Sequence, residues 1–169
     1  YKNVGVDGVK TGYLAVEKYS LASTMKKRDR RIIAVASGFN TKNLRSSESL
    51  KLLNWGLRNT NTFEISKIGE TIYELDTWLG ASDKIKAMPK EDFYLTIDKK
   101  DIRHLTISLD YEGPILAPVI KGTQIATMTI KKKDVIIKSL PLYAKEDLKK
   151  VNFFKSLIIS LNYLIWGDV

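Results

Sequence analysis

The residues best placed to do chemistry are Lys10, Thr11 and Gly12, which close the stretch Val6-Asp7-Gly8-Val9-Lys10-Thr11-Gly12. On a strand, this tripeptide offers an ammonium, a hydroxyl and a length of backbone with no side chain. An extended ligand can therefore lie along it with an anionic group beside the Lys and Thr. The spacing is not that of a phosphate-binding loop, in which Gly immediately precedes Lys; Val9 stands there instead. Composition narrows the remaining chemistry. The chain has no Cys, which removes disulfides, thiolate nucleophiles and Cys-ligated metals. Its one histidine, His104, excludes a multi-His metal centre and is assigned a structural role on a predicted strand. No metal and no cofactor is expected.

The elements that must position the tripeptide come next. Residues 13–25 and 31–37 are short, apolar and rich in β-branched residues, and they predict two antiparallel strands. Gly38 ends the second strand. Leu44, Ser47, Leu50, Leu53 and Leu57 then recur at helical spacing and predict a helix over Asn43–Arg58. The Asn59-Thr60-Asn61-Thr62 stretch breaks that pattern and reads as a boundary. From Glu64 to Tyr143 short runs alternate apolar and polar residues, as in Phe93-Tyr94-Leu95-Thr96-Ile97 and Leu105-Thr106-Ile107-Ser108-Leu109. Turn chemistry separates them at Gly80–Asp83, Glu112-Gly113-Pro114 and Lys131–Asp134, which predicts a small antiparallel sandwich or barrel.

The last segment differs again. On a helical projection Phe153, Phe154, Leu157, Ile158, Leu161, Leu164 and Ile165 fall in one broad arc, with Lys155 and Asn162 opposite. The uncharged run from Ser156 to Gly167 is shorter than the roughly 20 residues a spanning helix requires. It suits a helix lying in a membrane interface, with Tyr163 and Trp166 at headgroup level. This is preferred to a C-terminal helix packed on its own domain, because an all-β domain offers few grooves for so apolar a helix.

Charge is unevenly distributed. The formal net charge is +9, yet the first sixty residues hold twelve of the 28 Lys/Arg and only four of the 19 Asp/Glu. The densest run, Lys26-Lys27-Arg28-Asp29-Arg30-Arg31, joins the two predicted strands and has no aromatics interleaved as stacking platforms. It reads as a solvated hairpin turn, and no nucleic-acid partner is expected.

Lys10-Thr11-Gly12 matches the third motif of the serine penicillin-recognising enzymes. The surrounding order strengthens the likeness: Val6-Asp7-Gly8, the strand Tyr19-Ser20-Leu21, the strand Arg31-Ile32-Ile33, and a helix ending Lys51-Leu52-Leu53-Asn54-Trp55-Gly56. Phe93–Ile97, Leu116-Ala117-Pro118, Pro141-Leu142 and Asn152-Phe153-Phe154 continue it. Over essentially its whole length the chain resembles the low-molecular-mass penicillin-binding proteins that act as D-alanyl-D-alanine carboxypeptidases.

The resemblance implies an α+β fold. Residues 1–61 would be the C-terminal strands and helix of a serine β-lactamase/penicillin-binding-type catalytic domain, 62–150 a small antiparallel β-sandwich, and 151–169 an amphipathic membrane-anchor helix. That anchor would use Phe153, Phe154, Leu157, Ile158, Leu161, Leu164, Ile165 and Trp166. The resemblance also implies a reaction, removal of the terminal D-Ala from peptidoglycan stem peptides through an acyl-serine, with β-lactams attacked as mimics. Lys10 would give electrostatic and proton-relay help, Thr11 would bind the substrate carboxylate, and Gly12 would leave room for the substrate backbone. Arg45, at the start of the helix, would be a second carboxylate partner. The implied location is periplasmic, peripheral on the extracytoplasmic face of the cytoplasmic membrane.

In that family the Ser-x-x-Lys and Ser-x-Asn motifs precede Lys-Thr-Gly, and only five residues precede Val6. Both motifs are therefore expected to lie outside the chain, which would be inactive alone. Ser23-Thr24-Met25-Lys26 spells the first motif and Ser160-Leu161-Asn162 the second. Ser and Lys must share a helix face to work together, whereas Ser23 and Lys26 fall at the end of a predicted strand, on opposite faces. Ser160 and Asn162 belong to the apolar tail. Within the matched region Leu14 replaces the usual Thr two residues after the Gly, and Glu17-Lys18 replaces the usual Ala-Gly. The alternative from another class is a non-enzymatic β-sandwich module that docks to membrane, peptidoglycan or a protein partner.

Overall fold

The structure is a computed structural model that describes residues 5–167, so the outermost residues of the expected 1–61 and 151–169 segments lie outside the described residues. It is mostly β, with a helix near its C-terminal end. Residues up to Phe63 together with Thr96–Ile102 form one compact unit. Glu64–Leu95 and the chain from Arg103 onward form a second.

The first unit is built on a meander of β1 (Val6–Leu14), β2 (Lys18–Lys27) and β3 (Arg30–Phe39), antiparallel throughout, with β2 in the centre. The break at 15–17 divides what the sequence presents as one run over 13–25. Helix α1 (Lys42–Asn59) packs on β2 and β3. Thr41 caps it, its Oγ1 accepting from the Leu44 amide at 3.1 Å. The buried line of α1 is Ser49, Leu53 and Gly56, with Leu50 and Leu57 partly buried; Leu44 and Leu52 are exposed. Small residues carry this contact because the helix sits close to the sheet. A Cβ on Gly56 would lie 3.1 Å from the Ile32 Cδ1. The stretch after α1 is a strand and not a turn, and the two units divide within it, after Phe63. β4 (Thr60–Ser66) begins at once, because Thr60, Thr62, Phe63 and Ile65 suit a strand better than the flanking Asn residues suit a turn.

β4 pairs with β7 (Phe93–Asp98) in a two-stranded sheet, and the chain passes between the units within these strands. The second unit contains β5 (Tyr73–Trp78), β6 (Lys84–Met88), β8 (Leu105–Asp110), β9 (Ile115–Leu116), β10 (Gln124–Lys132) and β11 (Val135–Ala144). These form one six-stranded sheet in the order β8-β10-β11-β6-β5-β9. The all-antiparallel expectation fails at one place: β9 runs parallel to β5, with Thr77 opposite Ile115 and Trp78 opposite Leu116. Leu75, Ile85, Ala87, Leu140, Leu142 and Ala144 are almost completely buried in its core. Each of the larger side chains contributes roughly 1.5–3 kcal/mol by leaving water.

Helix α2 (Phe153–Trp166) is capped by Asn152, which accepts from the Lys155 amide, and ends at a left-handed Gly167 whose N–H reaches the Tyr163 carbonyl. The segment leading into it is stitched down by backbone hydrogen bonds. Val119 and Leu148 exchange a pair at 2.9 and 2.8 Å, the Ala81 amide bonds the Lys149 carbonyl at 2.8 Å, and Val151 donates to Leu79 at 3.0 Å.

Candidate functional site

Lys10, Thr11 and Gly12 lie on β1, which among the described residues is an edge strand that pairs with β2 alone. Their partners across the ladder are Ala22, Leu21 and Ser20. Strand alternation divides the tripeptide. Lys10 and Gly12 share the face turned away from α1, where Lys10, Ala22 and Val35 form a row across the sheet. Thr11 shares the other face with Leu21 and Tyr19. Lys10 and Thr11 are exposed and Gly12 half-buried. The need for glycine at 12 is local: a Cβ there would sit 2.5 Å from the Ser20 Oγ.

Arg45, in the first turns of α1, is half-buried, and its guanidinium lies 5.9 Å from the centroid of the Tyr19 ring. Tyr19 in turn packs on Tyr13, with ring centroids 4.7 Å apart. The structure thus brings Arg45, Tyr19 and Tyr13 together beside Thr11, on the α1 side of the sheet, while Lys10 presents its charge on the other side. Beside Lys10, that second face leaves Leu14, Ile33 and Val35 exposed.

Two participants were not singled out in the sequence. Asp7 accepts two hydrogen bonds from Arg31, each of 2.8 Å, and Arg31 also donates to the Thr24 Oγ1 at 2.9 Å. Both residues of the pair are about half exposed. The Arg31 hydrogen bonds hold the Asp7 carboxyl below the usual carboxylate range, and Asp7 raises Arg31 correspondingly. Arg30 is also engaged, donating to the Thr60 carbonyl and Oγ1. The basic run is therefore not simply a solvated turn, because its last two arginines fasten separate parts of the unit. The usable signal was Arg31 at the head of an apolar strand and an Asp-Gly before the tripeptide.

The chance motifs come apart. The Ser23 hydroxyl is buried and bonds the Ala34 carbonyl at 3.4 Å, while Lys26 is exposed. Ser160 and Asn162 are exposed on α2. His104 ends a short 3₁₀ turn before β8 rather than lying on a strand, and its carbonyl accepts from the Lys133 amide. Among the described residues no group of three or more His, Cys, Asp or Glu side chains could hold a metal ion.

On α2, Phe153, Phe154, Leu157, Ile158, Leu161, Leu164, Ile165 and Trp166 are all exposed, from 47% at Leu161 to 80% at Leu164. Ser156 and Ile159 are half-buried, and Tyr163 meets Trp78 edge to face with ring centroids 5.1 Å apart. Among the described residues no helix is long and apolar enough to cross a membrane.

Comparison with known proteins agrees over both units. The chain is 31% identical over 154 residues to the D-alanyl-D-alanine carboxypeptidase DacF of Bacillus subtilis, covering 90% of this chain and 40% of that protein. It is 30% identical over 167 residues to DacA of Escherichia coli, covering 97% of this chain and 41% of that protein. The chain therefore spans about two fifths of the length of these curated relatives. Among solved structures, penicillin binding protein 5 from Haemophilus influenzae superposes with a TM-score of 0.76 at 28% identity, over 88% of this chain and 44% of that one. DacD from Francisella tularensis shares the fold, with a TM-score of 0.65 at 23% identity over 89% of this chain and 38% of that one. The family described as penicillin-binding protein 5, C-terminal domain, matches residues 61–150. With its β-rich second unit and a family match over more than half its length, this chain belongs to the penicillin-binding protein 5 C-terminal domain family.

Proposed function

We propose that the chain works as part of a serine D-alanyl-D-alanine carboxypeptidase, which removes the terminal D-Ala of peptidoglycan stem peptides and is acylated by β-lactams. Residues 1–61 would belong to its catalytic domain, 62–150 to a β-sandwich and 151–169 to a membrane-surface anchor. The observation that carries this reading is Lys10-Thr11-Gly12 on an unpaired strand edge. A stem peptide can add to that edge by backbone hydrogen bonds. Its terminal carboxylate is received by the Thr11 hydroxyl, with Arg45 contributing positive potential from the same side. Gly12 lets the peptide backbone approach, and Lys10 lends positive potential to the reacting centre. The exposed Leu14, Ile33 and Val35 beside Lys10 offer a face on which further polypeptide can pack.

The attacking serine and its lysine base are assigned to a Ser-x-x-Lys outside residues 1–169, since Ser23 is buried on the far side of its strand from Lys26. A fluorescent penicillin tests this. The chain alone should remain unlabelled. A polypeptide joining it to its Ser-x-x-Lys-bearing segment should be labelled, and Lys10→Ala should slow that labelling about 100-fold or more. Stable labelling of the isolated chain would return Ser23 to consideration.

The second reading, a docking module without catalysis, is favoured by one observation: the apolar arc of α2 is left open by the fold. In the first reading the same arc lies in the interface at the extracytoplasmic face of the membrane, peripheral and periplasmic. Absence of penicillin labelling in the longer polypeptide, with membrane association retained, would select the module.

A further inference from the structure

The six-stranded sheet leaves a seam. β8 ends at Asp110, opposite Thr127, so the first residues of β10, Gln124–Ala126, are paired to β11 on one side and, among the described residues, to no strand on the other. β9 is the opposite end of the same sheet, bonded to β5 on one side only. Both edges line one open groove of about 820 Å³, bounded at its mouth by Asp110 and Glu112. Its floor is apolar, with Ile115, Val119 and Ile125 each 9% exposed, while Leu116 and Ile120 stand exposed on its rim.

Two strand edges facing one groove form a template for an added strand, because their backbone donors and acceptors gain partners from an extended chain but not from a helix. Side chains pointing down from such a strand alternate with those pointing out. The downward set meets the apolar floor and must be apolar itself. The outward set meets the mouth, where the described lining holds two carboxylates and no Lys or Arg, on a chain of formal net charge +9. Thr129 holds Asp110 in place through a 3.0 Å hydrogen bond to its Oδ2. We propose that this seam receives an extended segment of a partner protein, with apolar residues at alternate positions and Lys or Arg between them to meet Asp110 and Glu112.

The test is an amide NMR titration of the full chain with the capped hexapeptide Val-Lys-Val-Lys-Val-Thr, beside its Glu-for-Lys counterpart and a version N-methylated at alternate peptide nitrogens. The Lys peptide should shift Asp110, Leu116 and Gln124–Thr127 while leaving Lys10–Gly12 in place. The Glu peptide should bind at least about ten-fold more weakly, as should the Lys peptide to the Asp110→Asn/Glu112→Gln chain. Asn and Gln keep the size of the side chains they replace, and unchanged signals from α1 and β11 will establish that the variant is folded. N-methylation should abolish the shifts. No shift at millimolar peptide, equal binding of the Lys and Glu peptides, indifference to N-methylation, or shifts confined to β1 would each overturn the proposal.

Discussion

Arg31 reaches across β2 to hold Asp7 with two parallel hydrogen bonds of 2.8 Å, tying the irregular start of β1 to the start of β3. β1 is held chiefly by its ladder with β2, whose register slips between Val6 and Val9. The pair therefore fixes the strand that presents Lys10, Thr11 and Gly12 at the point where the ladder is weakest.

Acid should release this clasp. Asp7 has a lowered pKa in the folded chain, so its contribution is fully present above its unfolded value and disappears as pH falls through the lower folded value. Wild type should therefore lose Tm more steeply than Asp7→Asn below about pH 4, and the two should converge at the acid end. Thermal melts followed by circular dichroism between pH 7 and pH 2 will measure the difference. Parallel curves across that range would mean that the pair contributes nothing.

Gly12→Ala should destabilise the first unit by about 1 kcal/mol, because the new methyl meets the Ser20 hydroxyl. Ser20→Ala removes the obstructing oxygen and leaves the Ser20 Cβ at an ordinary 3.9 Å. The double variant should recover most of the loss. A double-mutant cycle from denaturant unfolding supplies the coupling.

Leu142 is completely buried in the core of the second unit, whereas Leu53 is the most buried hydrophobic side chain of the first. Leu142→Ala and Leu53→Ala should each cost about 2–5 kcal/mol. Hydrogen exchange on the two variants should show the loss concentrated in the unit that carries the substitution.

Membrane association, if it runs through the open arc of α2, should fail when Leu157 and Leu164 are both changed to Glu. Co-sedimentation with vesicles will read this. Tyr163→Ala should leave the arc intact but remove an aromatic contact on Trp78 of about 0.5–1.5 kcal/mol. It should therefore alter tryptophan emission without abolishing binding.

The strands with clean alternation were legible before the fold was known. Phe93–Ile97 lies within β7, and Leu105–Leu109 lies within β8. The helix after Gly38 was legible too, and so was part of its buried side, Leu50, Leu53 and Leu57. The small residues Ser49 and Gly56 were not, because their place is set by how close the helix approaches Ile32 rather than by hydrophobicity. Thr60–Ser66 was missed because its Asn residues resemble a turn, although its β-branched residues carry a strand. In the candidate site, residue types along one strand were readable. The pairing of Asp7 with Arg31 was not, since a contact between residues 24 apart depends on a strand register that no local pattern encodes.

The run from Leu148 to Val151 is hydrogen-bonded to two separate stretches of the second unit, Leu79–Ala81 and Val119, before α2 begins. The helix consequently leaves the sheet as a strut and not on a leash. If α2 docks as proposed, the sheet is joined to the docked helix through this hydrogen-bonded run and not through a free linker. A few glycines inserted after Lys150 would turn the strut into a tether and uncouple reach from binding strength.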